Sequence, residues 1–208
     1  FTKELGLDGI DWVTTYGIDP QEVRKVMDDN GLQTVCYTFF ADINFPDKKD
    51  RQPGVDEIKK GIETALILKT DKIMLPFNGK PEYSRKEARA NVIAGLKDVV
   101  EFGQKSGVTV TVEDFPNLRS PFIISSDFKE AISQIPELRV TYDSGNFIIG
   151  GEEPAAAYKN LQDVIVFGHF KDWKVVQSET NVRDIKGKFY RTVLVGEGEV
   201  DYKNLISL

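Results

Sequence analysis

The 208-residue sequence has one cysteine and one histidine. A single thiol excludes any disulfide within the chain and implies a reducing setting, so a cytoplasmic location is expected. That cysteine, Cys36, sits in the apolar run Thr34-Val35-Cys36-Tyr37 and reads as a small buried hydrophobe rather than a working thiol. No apolar run is long enough to span a bilayer, and the N-terminus lacks the pattern of a signal peptide. Positive charge is also in short supply. The formal net charge is −6, with 27 Lys and Arg against 33 Asp and Glu, which argues against a protein that tracks nucleic-acid phosphates. No G-x-G-x-x-G opens a helix, so the usual mark of a dinucleotide-binding doubly wound sheet is missing. An initiating methionine is absent as well. The chain opens on Phe1-Thr2-Lys3-Glu4-Leu5-Gly6, like the tail of a helix, and stops on Asn204-Leu205-Ile206-Ser207-Leu208, like a helix just begun. The expectation is one partial domain over residues 1–208, a fragment or a trimmed chain.

What is present is ordinary in bulk and regular in order. Hydrophobic residues make up 40% and charged residues 29%, enough for one sizeable core. Strand-like and helix-like segments alternate with the period of a βαβ module, about 30 residues. The strands are expected over 7–14, 32–40, 72–77, 108–114, 138–143 and 164–171. The helices are expected over 20–29, with Pro20 in the first turn, and over 55–68, with Ile58, Ile62, Ala65 and Leu66 on one stripe. Others follow over 84–106, closed by Gly107, over 126–135, capped by Ser125 or Ser126, and over 153–161. The rhythm then breaks. Residues 175–200 read as a long loop with a small hairpin around Phe189 to Leu194, and a further helix opens near Glu199 to Lys203.

Strict alternation implies a parallel sheet covered by helices, either an open doubly wound sheet or a (β/α)8 TIM barrel. Six visible strands and two cut ends fit an incomplete barrel that lacks its first and last strands. Side chains alternate along a strand, so parity sorts them. Thr109, Thr111 and Glu113 share one face of the fourth strand, and Arg139, Thr141 and Asp143 one face of the fifth. Ile165, Phe167, His169 and Lys171 share one face of the sixth. The intervening valines belong under helices, which points the polar face into the barrel. Glu113, Asp143 and His169 are then the last inward residues of three neighbouring strands, at the end of a barrel where chemistry occurs. Any one of them alone reads as a salt-bridge partner or a core histidine. Together, two converging carboxylates carry a burial and repulsion cost that a divalent cation removes, and the imidazole adds a borderline ligand. Mn²⁺, Co²⁺, Zn²⁺ and Mg²⁺ all suit that set.

Five segments carry a family resemblance. They are Gly6-Leu7-Asp8-Gly9-Ile10-Asp11, Val110-Thr111-Val112-Glu113-Asp114, Tyr142-Asp143-Ser144-Gly145-Asn146-Phe147, Gly168-His169-Phe170-Lys171-Asp172-Trp173 and Gly196-Glu197-Gly198-Glu199-Val200-Asp201-Tyr202. In this order they resemble the signature segments of the xylose-isomerase-like TIM-barrel superfamily, the sugar (phosphate) isomerases and epimerases grouped with the endonuclease IV barrels. The His-x-Lys-Asp and Gly-x-Gly-x-x-Asp segments carry most of its specificity. The resemblance implies that Glu113 binds the metal and also serves as an acid/base, and that Asp143 and His169 are two further ligands. It implies a fourth ligand, a glutamate on the eighth strand, which lies beyond this sequence. Glu197 and Glu199 precede the last helix and are not its counterpart. Two departures stand out. Asn146 occupies a position where many members place a histidine, and Trp173 to Val176 lacks the arginine usual in epimerases of free ketoses.

The implied chemistry is a metal-dependent sugar or sugar phosphate isomerase or epimerase that works through an enediolate with glutamate as acid/base. The close alternative is a keto-sugar or inosose-type dehydratase on the same barrel. More remote are an endonuclease IV-like phosphodiesterase, opposed by the lone histidine and the negative charge, and a non-catalytic sugar-binding barrel. Lys171 and Asn146 are candidate substrate-binding residues. Equally, Lys171 reads as an ion-pair partner of Asp143 or Asp172, and Asn146 as a turn residue. Tyr37, Phe39, Phe77 and Phe115 read as an apolar wall or as ordinary core. The expected partner is a small sugar, with no nucleic acid and no membrane; a homo-oligomer is left open. Without the eighth-strand glutamate, activity of this chain alone is not assured.

Overall fold

The structure, a computed structural model, describes residues 1–208. Six parallel strands form one sheet: β1 (Gly9–Val13), β2 (Gln33–Thr38), β3 (Lys72–Leu75), β4 (Thr109–Glu113), β5 (Arg139–Asp143) and β6 (Ile165–His169). Their order in the sheet is their order in the chain. A doubly wound sheet reverses direction at a switch point, whereas this one never does, so it curls as part of a (β/α)8 barrel. The crossovers contain α1 (Pro20–Asp29), α2 (Lys48–Ile67), α3 (Arg85–Ser106), α4 (Ser125–Gln134) and α5 (Pro154–Leu161). A three-stranded antiparallel sheet follows, built from β7 (Asp172–Val176), β8 (Val182–Arg183) and β9 (Phe189–Val193) in the order β7-β9-β8, and then α6 (Tyr202–Ile206). No helix is long and apolar enough to cross a membrane.

Local chemistry explains most boundaries. Asp19 accepts from the Gln21 amide at 2.8 Å and Pro20 supplies the first turn of α1. Ser84 and Glu87 form a capping box at the start of α3, and Gly107 ends it in the left-handed conformation at φ 72°. Between them, Gly103 lets α3 approach β4: a Cβ there would lie 2.7 Å from the Val108 carbonyl oxygen. Val108, Val110 and Val112 are buried in one core cluster with Ile58, Ile62, Val92, Leu96 and Val99, as parity required. Tyr37, Phe39 and Phe77 join that core as well. Cys36 is fully buried, and burial pushes its thiol pKa up, away from reactivity.

The structure corrects four expectations. First, α2 begins at Lys48 rather than Val55, and Pro53 lies inside it. A proline that early removes one helical hydrogen bond, and the neighbouring Gly54 admits the Asp42 carbonyl, which a Cβ would meet at 2.1 Å. Its buried stripe runs through Val55, Ile58, Ile62 and Ala65, while Leu66 is exposed. Second, neither serine caps α4. The N-cap is Ile124, and Asp127 reaches back to accept from the Ile123 and Ile124 amides at 3.1 and 3.2 Å. Ser125 instead bonds Glu152 through its amide and hydroxyl. Third, β6 stops at His169, short of the expected Lys171, and a new strand, β7, starts at Asp172 and runs into the beginning of what read as a long loop. Fourth, the Gly196–Val200 segment is not a free loop. The fully buried Asp172 carboxylate accepts from the amides of Trp173 and Val200 through Oδ1 at 2.9 and 3.1 Å, and from those of Gly196 and Gly198 through Oδ2 at 3.0 and 2.9 Å. A Cβ on Gly198 would lie 2.4 Å from the Trp173 carbonyl oxygen, so glycine is what lets the chain wrap this carboxylate.

Candidate metal centre

Glu113, Asp143 and His169 are the C-terminal residues of β4, β5 and β6. The register places Asp143 beside His169, and Glu113 beside Thr141, two residues below Asp143 on the same face. Just beneath, the Thr111 and Thr141 hydroxyls meet at 2.6 Å, both fully buried, which fixes this face as the interior one. One ligand atom from each of Glu113, Asp143 and His169 lies within 4.8 Å of the other two. His169 Nδ1 is 2.6 Å from Glu113 Oε1, and its Nε2 is 3.0 Å from Asp11 Oδ2. Phe167 meets the imidazole edge-on, with ring centroids 5.0 Å apart.

Asp143 divides its two oxygens. Oδ1 accepts from the Gly145 and Asn146 amides at 2.9 and 3.2 Å. Oδ2 is buried without a hydrogen-bond partner, although Lys171 Nζ lies 3.1 Å away as an ion pair. The next residue after Glu113, Asp114, is fully buried; its Oδ1 accepts from the Asp143 amide at 2.9 Å, and its Oδ2 has no partner. Burial raises the pKa of Asp143, with Lys171 opposing and Glu113 adding to the shift. Burial, then the Asp143 and Glu113 charges, hold Asp114 well above the usual carboxylate range. For His169, burial works against the charged ring, but the hydrogen bonds and charges of Asp11 and Glu113 outweigh it and lift the imidazole to about 10. Four carboxyl groups thus crowd around two cationic side chains. The donor set, two carboxylates and an imidazole with one orphaned buried oxygen, suits a divalent cation.

The remaining candidates fall close by. Lys171 pairs with Asp143, not with Asp172, whose carboxylate is occupied by backbone amides. Asn146 is fully buried and its amide is engaged within the protein: Nδ2 donates to the Asp114 carbonyl at 2.7 Å, while Oδ1 accepts from Trp173 Nε1 at 3.3 Å and Lys171 Nζ at 3.4 Å. It therefore connects the lysine to the ends of β4 and β5. Sequence reasoning passed over Asp11, which lay in the weakest of the five segments. Its one visible signal was a charged residue between Ile10 and Trp12, inside a strand. A cavity of about 770 Å³ opens among Gln33, Thr34 and Lys72 at the N-terminal ends of β2 and β3, with Phe167 of β6 also on its wall. A smaller cleft of about 290 Å³, lined by Phe40, Asp42, Phe77 and Lys80, lies at the C-terminal ends of β2 and β3, the end that barrels use for chemistry.

A curled parallel sheet in chain order, with acids and an imidazole gathered at its strand tips, is the arrangement of an incomplete (β/α)8 barrel. The chain belongs to the xylose isomerase-like TIM barrel family, whose pattern it matches over residues 1–208. It is 23% identical over 204 residues to the uncharacterized protein MJ1614 of Methanocaldococcus jannaschii, covering 97% of this chain and 73% of that protein. It is 25% identical over 166 residues to the uncharacterized protein YihM of Escherichia coli, covering 80% of this chain and 47% of YihM, so the chain spans about half of that relative. Among solved structures it resembles the IolI protein with a bound zinc atom, with TM-score 0.80, 15% identity, and coverage of 99% of this chain and 76% of that one. The probable 3-DHS dehydratase AsbF of Bacillus anthracis gives TM-score 0.75, 17% identity, and coverage of 99% and 80%. The 3-keto-D-glucoside 4-epimerase YcjR of Escherichia coli gives TM-score 0.69, 18% identity, and coverage of 82% and 71%. At these identities the likeness is one of fold.

Proposed function

We propose that this chain carries the metal centre of a divalent-metal-dependent sugar or sugar phosphate isomerase or epimerase. The observation that supports this most is the meeting of Glu113, Asp143 and His169 at three adjacent strand tips, with a buried Asp143 oxygen whose one partner is the Lys171 ammonium, as an ion pair. In this reading those three residues hold the ion, which when bound supplies Lewis-acid polarisation of a substrate carbonyl and its neighbouring hydroxyl. Zn²⁺, Mg²⁺, Mn²⁺ and Co²⁺ all suit the site. Glu113 is the base that removes the proton α to the carbonyl, giving an enediolate. The Lys171 ammonium, steadied by Asn146, balances the oxyanion that develops, and Asn146 shapes the substrate side of the site through that lysine.

Dehydration is the second reading: Asn146 and the arginine-free stretch from Trp173 to Val176 depart from the free-ketose epimerase pattern, which weakens that one epimerase type and leaves a dehydratase on the same barrel as the close alternative. The first step is shared, and loss of a β-hydroxyl replaces return of the proton. Incubating the Mn²⁺- or Zn²⁺-loaded chain with keto-sugars and inosose-type ketones in D₂O separates the outcomes by NMR. Deuterium at the α-carbon supports proton abstraction, and an unsaturated product selects the dehydratase. Exchange that persists unchanged in Glu113→Gln, with metal bound, contradicts the assignment of Glu113 as the base.

Metal uptake should also depend on pH in a defined direction. The raised pKa of His169 means that its ion pairs stabilise the metal-free fold below about 6.5, the unfolded value, and that this contribution is lost as pH rises through about 10. Near neutrality an ion must therefore displace a proton from the ring. Apparent affinity is expected to rise about tenfold per pH unit for each proton displaced. Calorimetry in buffers of different ionisation enthalpy should register at least one proton released per ion.

A further inference from the structure

We infer that Asp11 is a positioning residue for the metal centre: by accepting a hydrogen bond from His169 Nε2 it holds the ring in the tautomer and orientation that present Nδ1 to Glu113 and Asp143. The inference rests on the metal-centre reading above and adds a fourth strand to it. A neutral imidazole carries one N–H and one lone pair, and a carboxylate can only accept. In the metal-free chain both ring nitrogens face carboxylates, Nε2 at 3.0 Å from Asp11 Oδ2 and Nδ1 at 2.6 Å from Glu113 Oε1; an ion held by Glu113 and Asp143 would take the place of the Nδ1 proton and leave the Nε2 proton on Asp11. An ion bound at Nε2 would instead break the Asp11 hydrogen bond, whereas Glu113, which faces Nδ1, is itself a ligand in this reading.

Asp11 is itself held in place. Thr38 Oγ1, on the adjacent strand, donates to Asp11 Oδ1 at 3.0 Å, leaving Oδ2 for the ring. The pairing of β1 with β2 shifts register between Ile10 and Asp11, so the strand is irregular at the residue whose side chain reaches across to β6. Irregularities of this kind re-aim side chains near functional sites. Asp11 is not one of the groups whose ligand atoms lie mutually within 4.8 Å, so it supports the imidazole from behind rather than adding a ligand. Carboxylate support of a ligating histidine fixes its orientation and strengthens it as a donor, and loss of such support typically costs 10- to 100-fold in metal affinity.

The chain has a single histidine, so ¹⁵N-histidine NMR reports on this ring alone. Zn²⁺ titration of the wild-type chain should give one ring species with the proton on Nε2 and the metal on Nδ1. Asp11→Ala should weaken Zn²⁺ binding about 10- to 100-fold and admit the other tautomer. Asp11→Asn keeps an acceptor oxygen and should recover most of the affinity. Thr38→Val, which leaves Asp11 in place, should give a smaller loss in the same direction and keeps the test open should Asp11→Ala not fold. Equal Zn²⁺ affinity in wild type, Asp11→Ala and Thr38→Val, or Zn²⁺ on Nε2, overturns this inference while leaving the metal centre standing. A wild-type chain that binds no Zn²⁺ overturns both.

Discussion

His169→Ala should weaken divalent-metal binding by two to three orders of magnitude, and Asp143→Asn should do the same without loosening the fold. A full four-ligand zinc set is worth about 10–16 kcal/mol near neutral pH, so one ligand in such a set contributes roughly 3–4 kcal/mol, or about 100- to 1,000-fold. The two variants differ in what they do to the metal-free protein. Burial raises the pKa of Asp143, which means that its ionised form is disfavoured in the fold. A carboxyl group with a raised pKa costs stability once pH exceeds its unfolded value, so at neutral pH an uncharged amide removes a penalty rather than a support. The amide oxygen can still accept from Gly145 and Asn146. Asp143→Asn should therefore melt, without metal, at the wild-type temperature or above it, yet bind metal far more weakly. His169→Ala removes the ring between Asp11 and Glu113, and the metal-free protein should lose stability. Isothermal titration and thermal melts on the same preparations check both halves.

Asp172→Ala should destabilise the chain by about 3–5 kcal/mol, the cost of several unsatisfied buried amides after partial relaxation, while changing metal affinity only a few-fold. Its carboxylate is fully buried and accepts from the amides of Trp173, Gly196, Gly198 and Val200. Removing it orphans these donors, and each buried unsatisfied amide costs about 1–3 kcal/mol before relaxation. Asp172→Asn should recover little. One amide oxygen can serve Trp173 and Val200, but its NH₂ group would face the Gly196 and Gly198 amides. Chemical denaturation of the two variants, with near-UV circular dichroism of the aromatic side chains, measures the loss. An Asn variant as stable as wild type would show that the glycine segment does not depend on this carboxylate.

The fold was legible because its signals are local. Alternating strand and helix patterns give the order of elements, and valines against threonines distinguish the two faces of β4 in the sequence itself. The convergence of Glu113, Asp143 and His169 followed from the same parity, because consecutive strands of this sheet are neighbours. What escaped depended on distant contacts. The Pro53-Gly54 pair reads as a helix break, and only the close approach of the Asp42 carbonyl explains a glycine inside α2. Ser125 looks like a cap until Glu152, 27 residues on, takes both of its donors. Asp172 reads as the end of the His-x-Lys-Asp segment and a candidate partner of Lys171 until the chain returns 24 to 28 residues later to surround it. Asp11 and His169 are 158 residues apart, and no local pattern links them. The family resemblance supplied roles for Glu113, Asp143 and His169 and was silent on Asp11.

The most direct test of the metal centre is anomalous diffraction from crystals of the wild-type chain grown with Mn²⁺ or Zn²⁺. One strong peak per chain, bounded by Glu113, Asp143 and His169 with Nδ1 of the imidazole facing it, is the expected result. No peak at these strand tips, or ions only at other surface carboxylates, would contradict it.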